Sequence, residues 1–207
     1  MANVKLTKNE LKTQKDHLKQ YQRYLPTLQL KKQQLQSVIM KVRADHEAAE
    51  EQRRSVVSGL DDWVAVFGEN ERFPDDLKIQ KLVQPDRVEY ATENIAGVEV
   101  PNFRELTFKD IDYSVDDYPL WVDYAVVKLR DIARLDAVCK TLAIQEELLE
   151  KELRSTSQRV NLFEKVKIPQ CKEAIRVIKI ALGDEQTAAV TRGKIAKSRV
   201  PESEVAA

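Results

Sequence analysis

The sequence predicts an all-α protein, a long antiparallel two-helix coiled coil with a small β-hairpin-containing insertion between the helices. Three observations predict it. Two long stretches repeat apolar residues at alternating spacings of four and three, the pattern that keeps one stripe facing a neighbouring helix over many turns. Only five glycines occur in 207 residues, so tight turns are few and the elements between them long. The stretch from Gly68 to Pro119 loses the repeat and holds four of the seven prolines. The resulting division is a first long coiled-coil helix over 1–67, an acidic knob with a short hairpin over 68–118, a second long helix over 119–190, and a polar, disordered tail over 191–207.

In the first helix, one sevenfold series runs Val4, Leu11, Leu18, Leu25, Lys32, Ile39, His46, Arg53, Leu60, Phe67. The other runs Thr7, Gln14, Tyr21, Leu28, Leu35, Val42, Ala49, Val56, Trp63. The flanking positions are rich in Lys, Gln and Glu, good helix formers that keep the outer face wet. Pro26 is the misfit, since it removes a hydrogen bond and crowds the preceding turn. The repeat continues on both sides of it, so a kink is expected rather than a helix end.

Within the knob, Arg87-Val88-Glu89-Tyr90-Ala91 and Val98-Glu99-Val100 alternate in strand fashion, which predicts a hairpin with Gly97 supplying the turn. Asp116 or Asp117 ahead of Pro119 predicts the start of the second helix. That helix carries Trp121, Leu135, Leu142, Leu149 and Phe163 on one series and Ala125, Ile132, Cys139, Leu153 and Val160 on the other. The breaks are Lys128, Thr156, Glu146 and Lys167. Beyond Pro169 the stripe continues as Cys171, Ile175, Ile178 and Leu182, displaced by one position. A kink at Pro169 is the expectation. After Leu182 the periodicity fades, Gly183-Asp184-Glu185 offers an interruption, and Arg192-Gly193-Lys194 is expected to fray.

Charge and chemistry narrow the function. Charged residues make up 33% and aromatics 6%, which argues against a compact globule. The formal charge is zero overall but +8 over 1–44, −2 over 45–60, −10 over 61–123 and +4 over 124–207, so folding the helices together gathers the basic ends. A nucleic-acid contact is one reading of such an end, but no aromatic residues are interleaved as a stacking platform needs; a solvated lysine-rich face accounts for it. No apolar run approaches the ~18 residues of a membrane span, and no signal peptide opens the chain, so direct membrane insertion is not expected. Cys139 and Cys171, 32 residues apart, would sit roughly 48 Å from each other on one helix, far beyond disulfide reach. His17 and His46 form no ligand cluster with cysteine. Gly193-Lys194 lacks the Ser/Thr and first glycine of a phosphate loop, and Asp61-Asp62 and Asp116-Asp117 lie beside helix boundaries, where capping explains them. No cofactor, no metal site and no catalytic constellation is expected. A coiled-coil tether or adaptor would show the same periodicity.

Arg159-Val160-Asn161-Leu162-Phe163-Glu164, followed by Ile168-Pro169, resembles the C-terminal helix of the D subunit, the central rotor shaft of V-type (vacuolar and archaeal-type) ATPases. Gln158 stands where the family has a second arginine, and Leu162-Phe163 where Ala-Leu is usual. Two further segments resemble the family in order: Leu6-Thr7-Lys8-Asn9-Glu10-Leu11 with Leu28-Gln29-Leu30-Lys31-Lys32-Gln33-Gln34-Leu35, and Glu93-Asn94-Ile95-Ala96-Gly97-Val98-Glu99-Val100-Pro101. Tyr24-Leu25-Pro26 departs from the family's Gly-His. The resemblance implies a non-catalytic shaft seated in a hexamer of catalytic A and nucleotide-binding B subunits, bound to the F subunit and docked in the socket subunit (C or d) at the cytoplasmic face of the membrane. It also implies that Arg159, Asn161, Glu164, Ile168 and Pro169 are shaft positions, either in contact with the hexamer or holding helix register and capping the kink.

Overall fold

The computed structural model describes residues 5–61, 82–110, 118 and 120–199. It is mostly helical, in the order α1 (Lys8–Asp61), β1 (Pro85–Ile95), β2 (Val98–Phe108), α2 (Val122–Leu162), a π-helical turn (Phe163–Lys167) and α3 (Ile168–Ser198). The expected ends of the first helix at Val4 and Phe67, and the start signal at Asp116, Asp117 and Pro119, lie outside the described residues. The chain forms two compact units, Lys32–Arg154 and Met1–Lys31 with Ser155–Ala207.

Helix α1 opens on a capping residue. Thr7 Oγ1 accepts the Glu10 N–H at 3.2 Å, which satisfies one of the donors a helix leaves free at its start. The helix then continues without interruption through Pro26, and the Thr27 hydroxyl donates to Tyr24 O at 2.7 Å beside it.

In Lys32–Arg154 the core follows the repeat. Leu35, Ile39 and Val42 of α1 bury against Leu149 of α2 and Val100 of β2, with Leu142, Leu153 and the hairpin-tip residues Ile95, Ala96 and Val98 packed around them. The cross-helix ion pairs run in opposed order: Arg43 meets Glu146 and Glu150, while Arg53, further along α1, meets the earlier Asp136. The helices of this unit are therefore antiparallel. The partners are informative, because Glu146 is a polar break in the α2 stripe, and His46 and Arg53 are breaks in that of α1. His46 lies 4.0 Å from Glu146 and 3.7 Å from Glu50. Each of these three breaks thus meets a polar partner, and none of them faces a purely apolar surface.

The hairpin is longer than its sequence signal. β1 and β2 pair antiparallel from Ile95↔Val98 outward to Pro85↔Phe108, with irregularities between Pro85 and Arg87 and between Glu89 and Tyr90. The turn is Ala96-Gly97 with φ of 52° and 80°, both left-handed as a two-residue hairpin turn of matching twist requires. Gly97 adopts this freely, and Asn94 Oδ1 accepts its N–H at 3.0 Å.

The hairpin lies on a second face of α2, one the sevenfold stripe does not mark. Thr141 and Gln145 are buried there, each one residue before a stripe position. The Gln145 amide donates to Pro101 O at 2.6 Å, and the Thr141 hydroxyl is satisfied by Ala137 O at 2.7 Å. At the base of the hairpin, the guanidinium groups of Arg130 and Arg134 each stand 5.3 Å from the Phe108 ring, an attractive cation–aromatic arrangement. Leu82, Tyr118, Val122 and Val126 form a second small cluster.

Helix α3 differs from expectation at its far end. It passes through Gly183 and Gly193 and ends only at Ser198, with the Arg199 N–H on Ala196 O at 3.2 Å. Hydroxyls of Thr187 and Thr191 donate to Gly183 O and Thr187 O, and Ala188 and Ala189 are strong helix formers. Local hydrogen bonding and propensity sustain the helix where the apolar stripe fades.

Candidate functional site

The segment singled out by the sequence, Arg159 to Pro169, is where the second long helix changes its hydrogen-bond geometry. Residues 163–167 form a π-turn, and the Ile168 N–H bonds to Phe163 O, five residues back, instead of to Glu164 O. A π-turn holds one residue more than the α-turn it replaces. Pro169 follows at once and has no N–H for Lys165 O. Two adjacent carbonyls, of Glu164 and Lys165, thus lose their ordinary α-helical donors.

This extra residue accounts for the displaced stripe. Uninterrupted α-helix would carry the two series from Phe163 and Val160 to Gln170 and Lys167. With one residue inserted, they pass to Cys171 and Ile168. Cys171 and Ile178 are buried, Ile168, Ile175 and Leu182 half-buried. Lys167 is therefore no true break in the pattern: Ile168 takes its place. The register change expected as a proline kink is an insertion, placed just ahead of the proline.

The five candidate residues do not share one environment. Arg159, Asn161, Glu164 and Pro169 are exposed, while Ile168 is half-buried on the stripe side. Val160 and, one turn earlier, Thr156 are buried, with the Thr156 hydroxyl unpartnered. Phe163 is fixed by a tilted ring contact with Tyr21 of α1, centroids 5.1 Å apart, and Tyr21 in turn neighbours His17 at 6.1 Å. Four polar or proline positions are thus exposed on and beside a turn whose first residue, Phe163, is held by Tyr21.

Further along, α3 shows apolar residues on its outer side as well. Val177 and Ile180 are exposed, Ile180 opposite Cys171 and Ile178 by helical spacing and Val177 one residue's rotation from Ile178. Between them Glu173 and Arg176 form an ion pair at 2.7 Å, which holds the Glu173 carboxyl below its ordinary range. Burial raises the Cys171 thiol, partly offset by Lys167. Burial and the nearby Glu50 raise that of Cys139. Both thiols are free, and burial disfavours the nucleophilic thiolate in each.

The two compact units carry opposite charge. Met1–Lys31 with Ser155–Ala207 holds seventeen Lys and Arg against eight acids, and Lys32–Arg154 seventeen against twenty-six. The candidate residues lie on the basic unit. Among the described residues no three potential metal ligands come together. The concave feature between α1 and α2, lined by Gln52, Ser55, Val56, Asp131, Arg134 and Leu135, is shallow and open. Sequence reasoning missed Gln145 and the π-turn: Gln145 lies off the stripe, and a hydrogen-bond shift of one residue leaves no trace beyond the displaced periodicity.

The family of the ATP synthase D subunit matches residues 10–198. Among curated proteins, the chain is 45% identical over 198 residues to the V-type ATP synthase D subunit of Borreliella burgdorferi, covering 96% of this chain and 95% of that one. It is 35% identical over 204 residues to the V-type ATP synthase D subunit of Chlamydia muridarum, covering 96% and 97%. That of Chlamydia abortus is 36% identical over 207 residues, covering 96% and 94%.

Proposed function

The chain belongs to the family of the ATP synthase D subunit, and from that premise we propose that it is the non-catalytic central-stalk rotor subunit of a V-type ATPase or ATP synthase. In this role it transmits torque between the ATP-hydrolysing hexamer and the ion-translocating ring in the membrane. The observation that carries the reading is similarity along nearly the whole chain, both long helices and the hairpin included, to subunits of that name.

The geometry supports it. A torque-bearing shaft needs two helices that neither bend apart nor slide, and the paired polar breaks at Arg53–Asp136 and around Glu146 oppose sliding. We read α1 and α2–α3 as one antiparallel coiled coil, with the hairpin-bearing knob between them and the second helix running to Ser198. The outward residues Arg159, Asn161, Glu164 and Pro169 would touch the hexamer of A and B subunits, with Ile168 holding the register behind them. The F subunit and the socket subunit (C or d) would bind elsewhere along the shaft. No described helix is long and apolar enough to cross a membrane, so attachment at the cytoplasmic face would run through the socket. The reactions belong to the other chains, and this one holds no cofactor.

A pull-down of the tagged chain from its native cells at moderate salt tests this. Recovery with a nucleotide-hydrolysing hexamer, one copy of the chain per hexamer, and a small partner of the F type is expected. Recovery alone, or with unrelated proteins and no hydrolysis, would overturn it in favour of a coiled-coil adaptor.

A further inference from the structure

Helix α3 carries two apolar stripes one residue apart. Cys171, Ile175, Ile178 and Leu182 are the stripe in use. Ala174, Val177 and Ala181, with Gln170, are the positions that an uninterrupted repeat would place inward. In the structure Ala174 and Ala181 are half-buried and Val177 is 39% exposed. Which stripe is seated depends on the single residue inserted at Phe163–Lys167.

We propose that the π-turn is a register switch, through which α3 takes a second seating in α geometry with Ala174, Val177 and Ala181 turned inward. The two seatings oppose unlike gains. Closing the π-turn returns the Ile168 N–H to Glu164 O and restores one backbone hydrogen bond that the insertion removed. Keeping it open seats Ile175, Ile178 and Leu182, side chains that remove more apolar surface from water than alanines and a valine do. Passage from one to the other moves the inserted residue along the helix by exchanging one hydrogen bond at a time. Pro169 lies first on that path: it has no N–H bond to break, and in α geometry its ring crowds the Lys165 carbonyl, which weights the balance toward the described seating.

The far end of the path is permissive too. Beyond Leu182 the stripe fades, and the residues from Gly183 to Arg199 are exposed, so little packing opposes their rotation. On switching, α3 turns by about 100°, the angle of one residue in an α-helix. Cys171 leaves the buried face and Val177 enters it. The inference concerns this chain alone and holds whatever complex the chain serves.

The buried thiol of Cys171 reports the switch. In the full chain carrying Cys139→Ser, Cys171 is the only thiol, and its labelling by a maleimide is followed over time. Val177→Glu leaves the described seating intact, because Val177 is exposed in it, but puts an unpaired carboxylate into the second seating. It is expected to slow labelling roughly tenfold or more by depopulating the second seating. Deleting Val166 lets the repeat run unbroken from Val160 and Phe163 into Ile168 and Cys171, so one α-helical register satisfies the whole stripe; labelling is expected to slow again while helix content is kept. Equal labelling rates in the parent and Val177→Glu would overturn the proposal and assign the exposure of Cys171 to fraying of the helix. Faster labelling after the Val166 deletion would overturn it as well.

Discussion

In Lys32–Arg154 the polar breaks of one helix are answered by polar residues of the other: Arg53 by Asp136, and His46 with Arg43 by Glu146. In Met1–Lys31 with Ser155–Ala207 the interruption is handled differently. There the helix takes in one extra residue ahead of Pro169 and shifts its stripe, with the Tyr21–Phe163 ring pair beside the shift. The first solution fixes register by charge matching and by a hairpin pinned at base, middle and tip. The second leaves register to a local change in hydrogen bonding. The same heptad repeat can thus yield a locked segment and an adjustable one.

The largest expected effect separates the two by their cores. Leu149→Ala empties a fully buried position of the locked unit and is expected to cost about 2–5 kcal/mol, read by chemical denaturation, with amide exchange rising through α2 and the hairpin. Ile178→Ala empties an equally buried position of α3. Its exchange is expected to rise in α3 alone, and spread into Lys32–Arg154 would break the comparison.

Gln145→Leu is expected to come next, at about 1–3 kcal/mol, because the Pro101 carbonyl loses its donor without gaining another. Loosening should be visible as faster exchange across β2, with α3 unchanged. A stabilising change sharpens the same contrast. Ala96 holds a left-handed φ of 52°, which costs an alanine more than an asparagine. Ala96→Asn creates the favoured Asn-Gly turn and is expected to stabilise the hairpin by roughly 0.5–1 kcal/mol, measured as a higher unfolding midpoint.

The smallest effect is one of pH. Glu173 is held below its ordinary range by its hydrogen bonds to Arg176. A depressed folded-state value means that the pair's contribution is present above the unfolded value and is lost as pH falls through the folded one. Glu173→Gln is expected to remove a small acid-side loss of α3 helicity, followed by circular dichroism between neutral and acidic pH, and to leave α1 in Lys32–Asp61 unaffected.

Much of this is legible in the sequence. The sevenfold series locates Leu35, Val42, Leu149 and Val160, all of which are buried, and the alternation around Gly97 locates the hairpin. The longer strands are not legible, because Asp86, Glu89 and Arg104 give no apolar alternation: β1 is exposed along most of its length. Thr141 and Gln145 escape notice since they lie on the face that the hairpin covers, which periodicity toward a single neighbour cannot mark. In the segment from Arg159 to Pro169, the displaced stripe is legible and the cause of its displacement is not. A kink and an insertion displace a stripe alike, and only the bond from Ile168 to Phe163 distinguishes them.

The matched breaks in Lys32–Arg154 also bear on how the chain finds its fold. Slid by one heptad, Arg53 would come beside Leu129 or Ala143 in place of Asp136, and Glu146 would lose Arg43. Each misaligned zipper would therefore give up its ion pairs across the seam, half-exposed and modest one by one but lost together. The two helices work like a key with two cuts, which lies flat in one alignment and less well in its neighbours, so the matched alignment is favoured over each slipped one.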